Sequence, residues 1–268
     1  MSTPILTLSH LTHRYGKTTA VDDVSFSLNQ GITVALVGSD GVGKSTLLSL
    51  IAGTKKVQTG KVEVFVKVPK NQTDRNQLAY QIAFMPQGLG RNLYPTLTVL
   101  ENIDFAARLY RLPEKVRQAT IFRLLKATGL SPFTHRPAGK LSGGMKQKLS
   151  LCCALIHQPD LLILDEPTTG VDPLSRRQFW ELTDRLRAEF PQMTMIVATA
   201  YMEEAERFDY LLAMNDGKLL ACDWREKVLQ RTNTHTVEDA YRAMLPKKSA
   251  NNQPLIIPPF VRRDDEEP

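Results

Sequence analysis

The stretch "ITVALVGSDGVGKST", residues 32–46, decides how the rest of the chain is to be read. Its first six residues are a continuous apolar run, the pattern of a parallel strand buried on both faces. The run ends at Gly38, and Gly38–Ser45 spells G-x-x-x-x-G-K-[ST], followed by Thr46. That spacing, between a buried strand and a helix predicted to begin near Lys44, suits a phosphate cradle. Gly38 and Gly43 let the backbone wrap closely, so that the N–H groups along Ser39, Asp40, Gly41 and Val42 turn inward. The helix start adds the positive end of its dipole. Lys44 can bridge outer phosphates, and the Ser45 hydroxyl can take a Mg²⁺ ligand position. The bland alternative is a glycine-rich strand-to-helix turn that binds nothing.

A second buried run, "LLILDEP" at 161–167, ends in two carboxylates. Asp165 at the strand tip can hold Mg²⁺ through water. Glu166 points elsewhere, toward the space beyond a γ-phosphate, where it can orient and polarise a water. By itself an Asp-Glu pair at a strand end is often just a solvated turn. Its partnership with a phosphate loop makes the catalytic reading of Glu166 and Lys44 the stronger one.

The surrounding elements form an α/β order. Short alternating stretches before residue 31 suggest antiparallel strands, and further strands are expected at 62–66, 80–85, 161–164, 193–198 and 210–214. The last joins 218–221 through the turn "NDGK". Between 98 and 157 the pattern becomes helical, an insertion of about sixty residues into a strand-rich core. After Pro246 come four prolines, polar residues and paired charges, which read as a linker or disordered tail.

Bulk properties narrow the class. With 268 residues, 42% hydrophobic and 23% charged, the chain has an ordinary globular composition. No apolar run approaches the roughly 18 residues of a spanning helix, and the start "MSTPILTLSH" does not resemble a secretory signal. Three cysteines make no disulfide framework. Cys152 and Cys153 share a helical face with Leu149 and Ile156, so they are expected to be core thiols in a reducing, cytosolic compartment. The net charge of +6 suits nucleotide phosphates, an anionic membrane surface or RNA. No run of five like charges points to nucleic acid, and no DNA partner is expected. "HLTH" at 10–13 offers only two metal ligands, too few for a zinc site.

"LSGGMKQKLS", residues 141–150, has no obvious task in a lone nucleotide-binding domain. Ser142 and its two glycines open a helix, a further anion-binding start. Here the sequence resembles the ATP-binding cassette (ABC) family, whose signature is L-S-G-G-x. The resemblance covers residues 5 to about 245, with the motifs in family order and spacing. It implies a P-loop NTPase of the ABC ATPase type: a mixed central sheet, an antiparallel β subdomain and an inserted α-helical subdomain. It further implies ATP and Mg²⁺ as ligands. Tyr15 in "HRYG" matches the aromatic that stacks on adenine. Gln87 in "MPQG" matches the glutamine that joins Mg²⁺ to the helical insertion. Asp172 in "GVDP" matches the loop aspartate that crosses to a second subunit. Family members work as head-to-tail pairs, so Leu141, Ser142, Gly143, Gly144 and Met145 would complete a partner's site.

Within the family, "LYPTLTVLENIDFAARLY" and "YMEEAERFD" resemble the drug- and antibiotic-exporter branch, in particular the first cassette of ribosome-associated ATPase/efflux proteins. That likeness implies a second cassette and a transmembrane permease as partners. It places the chain at the inner face of the cell membrane, and gives the proline-rich end the look of a linker toward a second cassette. Ribosome association is the alternative role. About 55 residues separate Gln87 from Ser142, too few for the coiled-coil arms of DNA-repair relatives.

One position departs from the family pattern. In "IVATAYMEEAE", residues 196–206, Ala200 stands where most members carry a histidine that contacts the γ-phosphate. A methyl group donates no hydrogen bond, so this chain's own phosphate loop is expected to hydrolyse ATP slowly. Thr199 and Tyr201 are the neighbouring groups that could replace the contact.

Overall fold

The computed structural model describes residues 4–65 and 78–246. Apart from Pro246, the segment expected to be a linker lies outside the described residues, as does Val66 at the end of one expected strand. Strands β1 (Leu6–Tyr15), β2 (Thr18–Leu28) and β4 (Thr59–Val64) make an antiparallel sheet in the order β2-β1-β4. β1 and β2 alternate buried and more exposed residues, because only one face of this sheet meets the core.

A second sheet has six strands in the order β5-β6-β7-β3-β8-β9. Its members are β3 (Thr33–Val37), β5 (Ile82–Met85), β6 (Leu161–Asp165), β7 (Thr194–Thr199), β8 (Tyr210–Asn215) and β9 (Lys218–Trp224). The first five run parallel, and β9 closes the edge antiparallel to β8 across the turn Asp216–Gly217. β3, β6 and β7 are buried along their whole lengths. Side chains alternate between two cores. Val34, Leu36, Ile163 and Ile196 face the antiparallel sheet and helix α1 (Lys44–Ile51). Ala35, Val37, Leu164 and Val197 face a helical layer on the opposite side.

That layer includes the insertion, whose helices are α2 (Val99–Leu109), α3 (Glu114–Thr128) and α4 (Gly143–Leu155). A capping box starts α2: Thr98 Oγ1 accepts from the Glu101 amide, and the Glu101 carboxylate accepts from the Thr98 amide. Helix α5 (Pro173–Glu189) follows β6, the short α6 (Met202–Ala205) follows β7, and α7 (Arg225–Thr232) and α8 (Val237–Met244) end the described chain. Leu149, Cys152, Cys153 and Ile156 are buried in this layer. Burial pushes the Cys152 thiol up to about 12 and that of Cys153 higher still. Among the described residues no helix is long and apolar enough to cross a membrane.

Candidate functional site

The parallel strands end along one edge, and the chain turns there that leave β3, β5, β6 and β7 carry the polar groups named above. After β3 the loop 38–43 leads into α1, whose N-cap is Gly43 with φ +107°. A Cβ there would stand 1.9 Å from the Ala20 carbonyl oxygen, so only glycine lets the loop close against β2. The tip of the β8–β9 hairpin presses on the same place: Gly217 N donates to Val42 O, and Asp22 N donates to Gly217 O. The phosphate loop is thus wedged between both sheets before any ligand contributes.

Lys44 is buried despite its charge. Its ammonium donates to the carbonyl oxygens of Gly38 at 2.8 Å and Ser39 at 3.0 Å. It also stands 3.6 Å from Glu166 Oε1 and 3.8 Å from Asp40 Oδ1. A buried ammonium needs such partners, since losing hydration costs several kcal/mol. Ser45, one residue on, donates its hydroxyl to Asp165 Oδ1 at 3.0 Å.

Asp165 and Glu166 are both buried, yet their side chains diverge. Asp165 continues β6, while Glu166 takes φ +47° and donates its amide to Ala198 O. A left-handed glutamate is a strained backbone, of the kind that concentrates at functional sites. This twist sends Asp165 to Ser45 and Glu166 to Gln87, whose Nε2 donates to Glu166 Oε2 at 2.7 Å. The Thr169 hydroxyl donates to the same oxygen at 3.3 Å. Burial pushes the Asp165 carboxyl up to about 6, only partly offset by the Ser45 hydrogen bond and the Lys44 charge. Ser45 Oγ, the Asp165 carboxylate and the Gln87 amide are hard oxygen donors suited to Mg²⁺, whose charge would favour ionised Asp165.

Beyond β7, Ala200 is exposed and its neighbours are occupied. The buried Thr199 hydroxyl donates to Glu204 Oε2 at 2.7 Å and accepts from the Tyr201 amide at 3.0 Å. The Tyr201 ring lies beneath the Arg176 guanidinium, 3.9 Å from its centre. No local sequence signal singles out Glu204, the group at the centre of this turn. Its carboxylate, 5% exposed, also accepts from Thr168 Oγ1 at 2.6 Å and Trp180 Nε1 at 2.9 Å. Arg176 Nε is 3.8 Å away. One buried carboxylate therefore ties together the turn after β7, the segment after Glu166 and helix α5.

Tyr15 ends β1, is 46% exposed, and reaches the loop through Thr46, with 3.4 Å between their hydroxyls. Lys55 Nζ stands 5.2 Å from the centre of the Tyr15 ring. The signature lies elsewhere. Ser142 caps α4 by accepting from the Met145 amide at 3.3 Å, between the partly exposed Gly143 and the largely buried Leu141. The atoms nearest to a Cβ on Gly143 or Gly144 belong to Leu89, Gly170 and Ser175. A Cβ on Gly144 would lie 2.6 Å from that of Ser175, so the glycine lets α4 meet the first turn of α5. Asp172 caps that turn, accepting from the Ser175 amide at 2.9 Å, and this bond holds its carboxyl below the usual carboxylate range. His10, in the "HLTH" pair, is exposed and bonded through Nδ1 to Asp23 at 2.8 Å.

The profile of the ABC transporter family matches residues 21–169, more than half of the chain. The probable multidrug ABC transporter ATP-binding protein YbhF of Escherichia coli is 42% identical over 223 residues, which are 82% of this chain and 37% of YbhF. The chain thus spans little more than a third of that relative. The linearmycin resistance ATP-binding protein LnrL of Bacillus subtilis is 33% identical over 234 residues, covering 87% of this chain and 73% of LnrL. A solved ATP-binding subunit of an ABC transporter superposes with a TM-score of 0.79 at 26% identity, covering 90% of this chain and 99% of its own. With its phosphate loop, strand-end carboxylates and signature helix in this arrangement, the chain belongs to the ABC transporter family.

Proposed function

We propose that the chain is the ATP-binding and ATP-hydrolysing motor domain of an exporter of drug-like or amphipathic molecules. The observation that carries this reading is the convergence of Lys44, Ser45, Asp165, Glu166 and Gln87 on one phosphate loop. The amides of the loop and Lys44 hold the phosphates, and Tyr15 stacks on the base. Ser45, Asp165 and Gln87 would hold Mg²⁺, which when bound neutralises phosphate charge. Glu166, fixed by Gln87 and Thr169, orients a water toward the γ-phosphorus and accepts its proton. The water oxygen bonds to phosphorus as the bond to the β–γ bridging oxygen breaks, leaving ADP and phosphate.

Ala200 removes one donor from this arrangement. Loss of a preorganised donor costs about 10²–10³ in rate. The engaged Thr199 hydroxyl and the Tyr201 ring held by Arg176 support the reading that neither substitutes for histidine. The chain then binds ATP well and turns it over slowly, while Ser142, Gly143, Gly144 and Asp172 serve the site of a second cassette. The likeness to YbhF, a probable multidrug ABC transporter ATP-binding protein, supports a membrane permease as the further partner, with the motor at the inner membrane face.

Steady-state ATPase measurements at high protein concentration test this directly. The native chain should be nearly idle, Ala200→His should accelerate it at least tenfold, and Glu166→Gln should abolish the gain. Brisk Glu166-dependent turnover in the native chain would sink the weakened-site reading. Salt-sensitive co-sedimentation with ribosomes, and none with membranes carrying a permease, would favour the ribosome-linked alternative.

A further inference from the structure

The peptide group joining Gly38 to Ser39 is held at both edges. Its carbonyl oxygen accepts from Lys44 Nζ at 2.8 Å. Its N–H, on the opposite edge of the same rigid plane, donates to the Tyr241 hydroxyl oxygen at 3.3 Å. Tyr241 is 4% exposed and donates its own hydrogen to Met214 O at 3.0 Å, near the end of β8. The hydroxyl is satisfied as donor and acceptor, and the peptide plane cannot rotate without breaking one of these bonds. Rotation would carry the Gly38 oxygen away from the Lys44 ammonium.

The helix bearing Tyr241 is anchored at its other end too. Thr236 caps α8, and the Val237 amide donates to Glu206 Oε1 at 2.6 Å. Glu206 ends α6, which follows the turn containing Ala200. Helix α8 is therefore bonded both to the phosphate loop and, through Glu206, to the end of the short helix that follows the Ala200 turn. A purely apolar residue at 241 would fill the same space but could not reach the loop.

We infer that Tyr241 is a positioning residue of the nucleotide site: its hydroxyl fixes the 38–39 peptide plane, and through it the Lys44 ammonium. The inference rests on reading this loop as the nucleotide cradle. It makes the last described helix a working part of the site rather than a packing appendage.

Tyr241→Phe deletes one oxygen and keeps the ring. Hydrogen exchange on the full chain without nucleotide should show residues 38–41 exchanging about threefold to tenfold faster, the effect of one net hydrogen bond. Titration with a fluorescent ADP analogue and Mg²⁺ should show Kd raised by a similar factor at a temperature where both proteins are folded. Val228→Ala, in the buried face of α7, is the structural control. It should lower Tm at least as much while leaving loop exchange and Kd unchanged. Unchanged loop exchange in Tyr241→Phe, or equal changes in both variants, overturns the inference. A native chain that fails to bind the analogue removes the functional reading, and the exchange comparison still decides whether Tyr241 holds the loop.

Discussion

Replacing Glu204 by alanine should cost more stability than any other single change to a polar residue near the site. Its carboxylate accepts from Thr168, Trp180 and Thr199 at 2.6, 2.9 and 2.7 Å, all in a region closed to water. Truncation leaves three buried donors unpaired, at about 1–3 kcal/mol each. Partial relaxation brings the expected total to roughly 3–6 kcal/mol. For a domain of this size about 2–4 °C of Tm is lost per kcal/mol, so Tm should fall by roughly 6–24 °C. Glu204→Gln keeps one accepting oxygen and the side-chain shape, and should lose about half as much. Circular dichroism melts measure the shift, and the fluorescence of the buried Trp180 reports the environment of its indole N–H independently. The unpaired-donor account makes a sharper demand. Adding Thr168→Val to Glu204→Ala removes a stranded donor and should restore about 1 kcal/mol, although Thr168→Val alone destabilises. A Glu204→Ala melt within about 2 °C of the native one, or additive losses in the double variant, would refute the reasoning.

Gly43→Ala should prevent the loop from closing, because its Cβ would lie 1.9 Å from Ala20 O, and nucleotide-analogue binding should vanish. Gly41→Ala, with no atom within 4 Å but φ +80°, should cost only about 1 kcal/mol in a denaturant titration. Asp165 provides a pH test. Its folded carboxyl is raised to about 6, so ionisation costs stability that grows above the unfolded value near 4 and is complete above about 6. In EDTA, Asp165→Asn should be more stable than native at pH 7.5, by up to roughly 3 kcal/mol, with the gain fading toward pH 4. A pH-independent difference in the melts would contradict that origin. Finally, a thiol reagent should modify Cys222, which is partly exposed, well before the buried Cys152 and Cys153 under native conditions.

The parts of the fold legible in sequence are those whose signal is local. A run such as "ITVALV" is apolar because both faces of β3 are covered, and the glycines after it mark where the backbone must turn tightly. Asp165 and Glu166 were legible for the same reason, since a charged pair directly after a buried strand is a local contradiction. Boundaries blurred where burial and backbone pairing end at different residues. The strand expected at 62–66 runs Thr59–Val64, pairing Thr59 with Thr12 although residues 59–61 are exposed. Glu204 was not legible at all. It sits in "YMEEAE", which reads as a solvated acidic turn of helix, and two of its partners lie 36 and 24 residues away. Tyr241 lies 202 residues from the amide it accepts from. No periodicity in a single sequence encodes such pairings, which exist only once the sheet order is set.

The same turn explains why Ala200 can stand where it does. Its backbone path is determined on either side by groups other than its own side chain. Thr199 is buried and bonded to Glu204 and to the Tyr201 amide, and Tyr201 is held under Arg176. The side chain at 200 is exposed and takes no part in that scaffold. A change there alters what is offered to a phosphate without disturbing the turn that presents it, whereas a change at Glu204 disturbs the turn itself. On the proposed function, catalytic strength and fold stability thus depend on different residues four positions apart. That separation is the physical basis for expecting Ala200→His to alter turnover while leaving Tm nearly unchanged. On the same proposal, one cassette of a pair could lose hydrolytic power and still bind nucleotide and lend its signature to the other site.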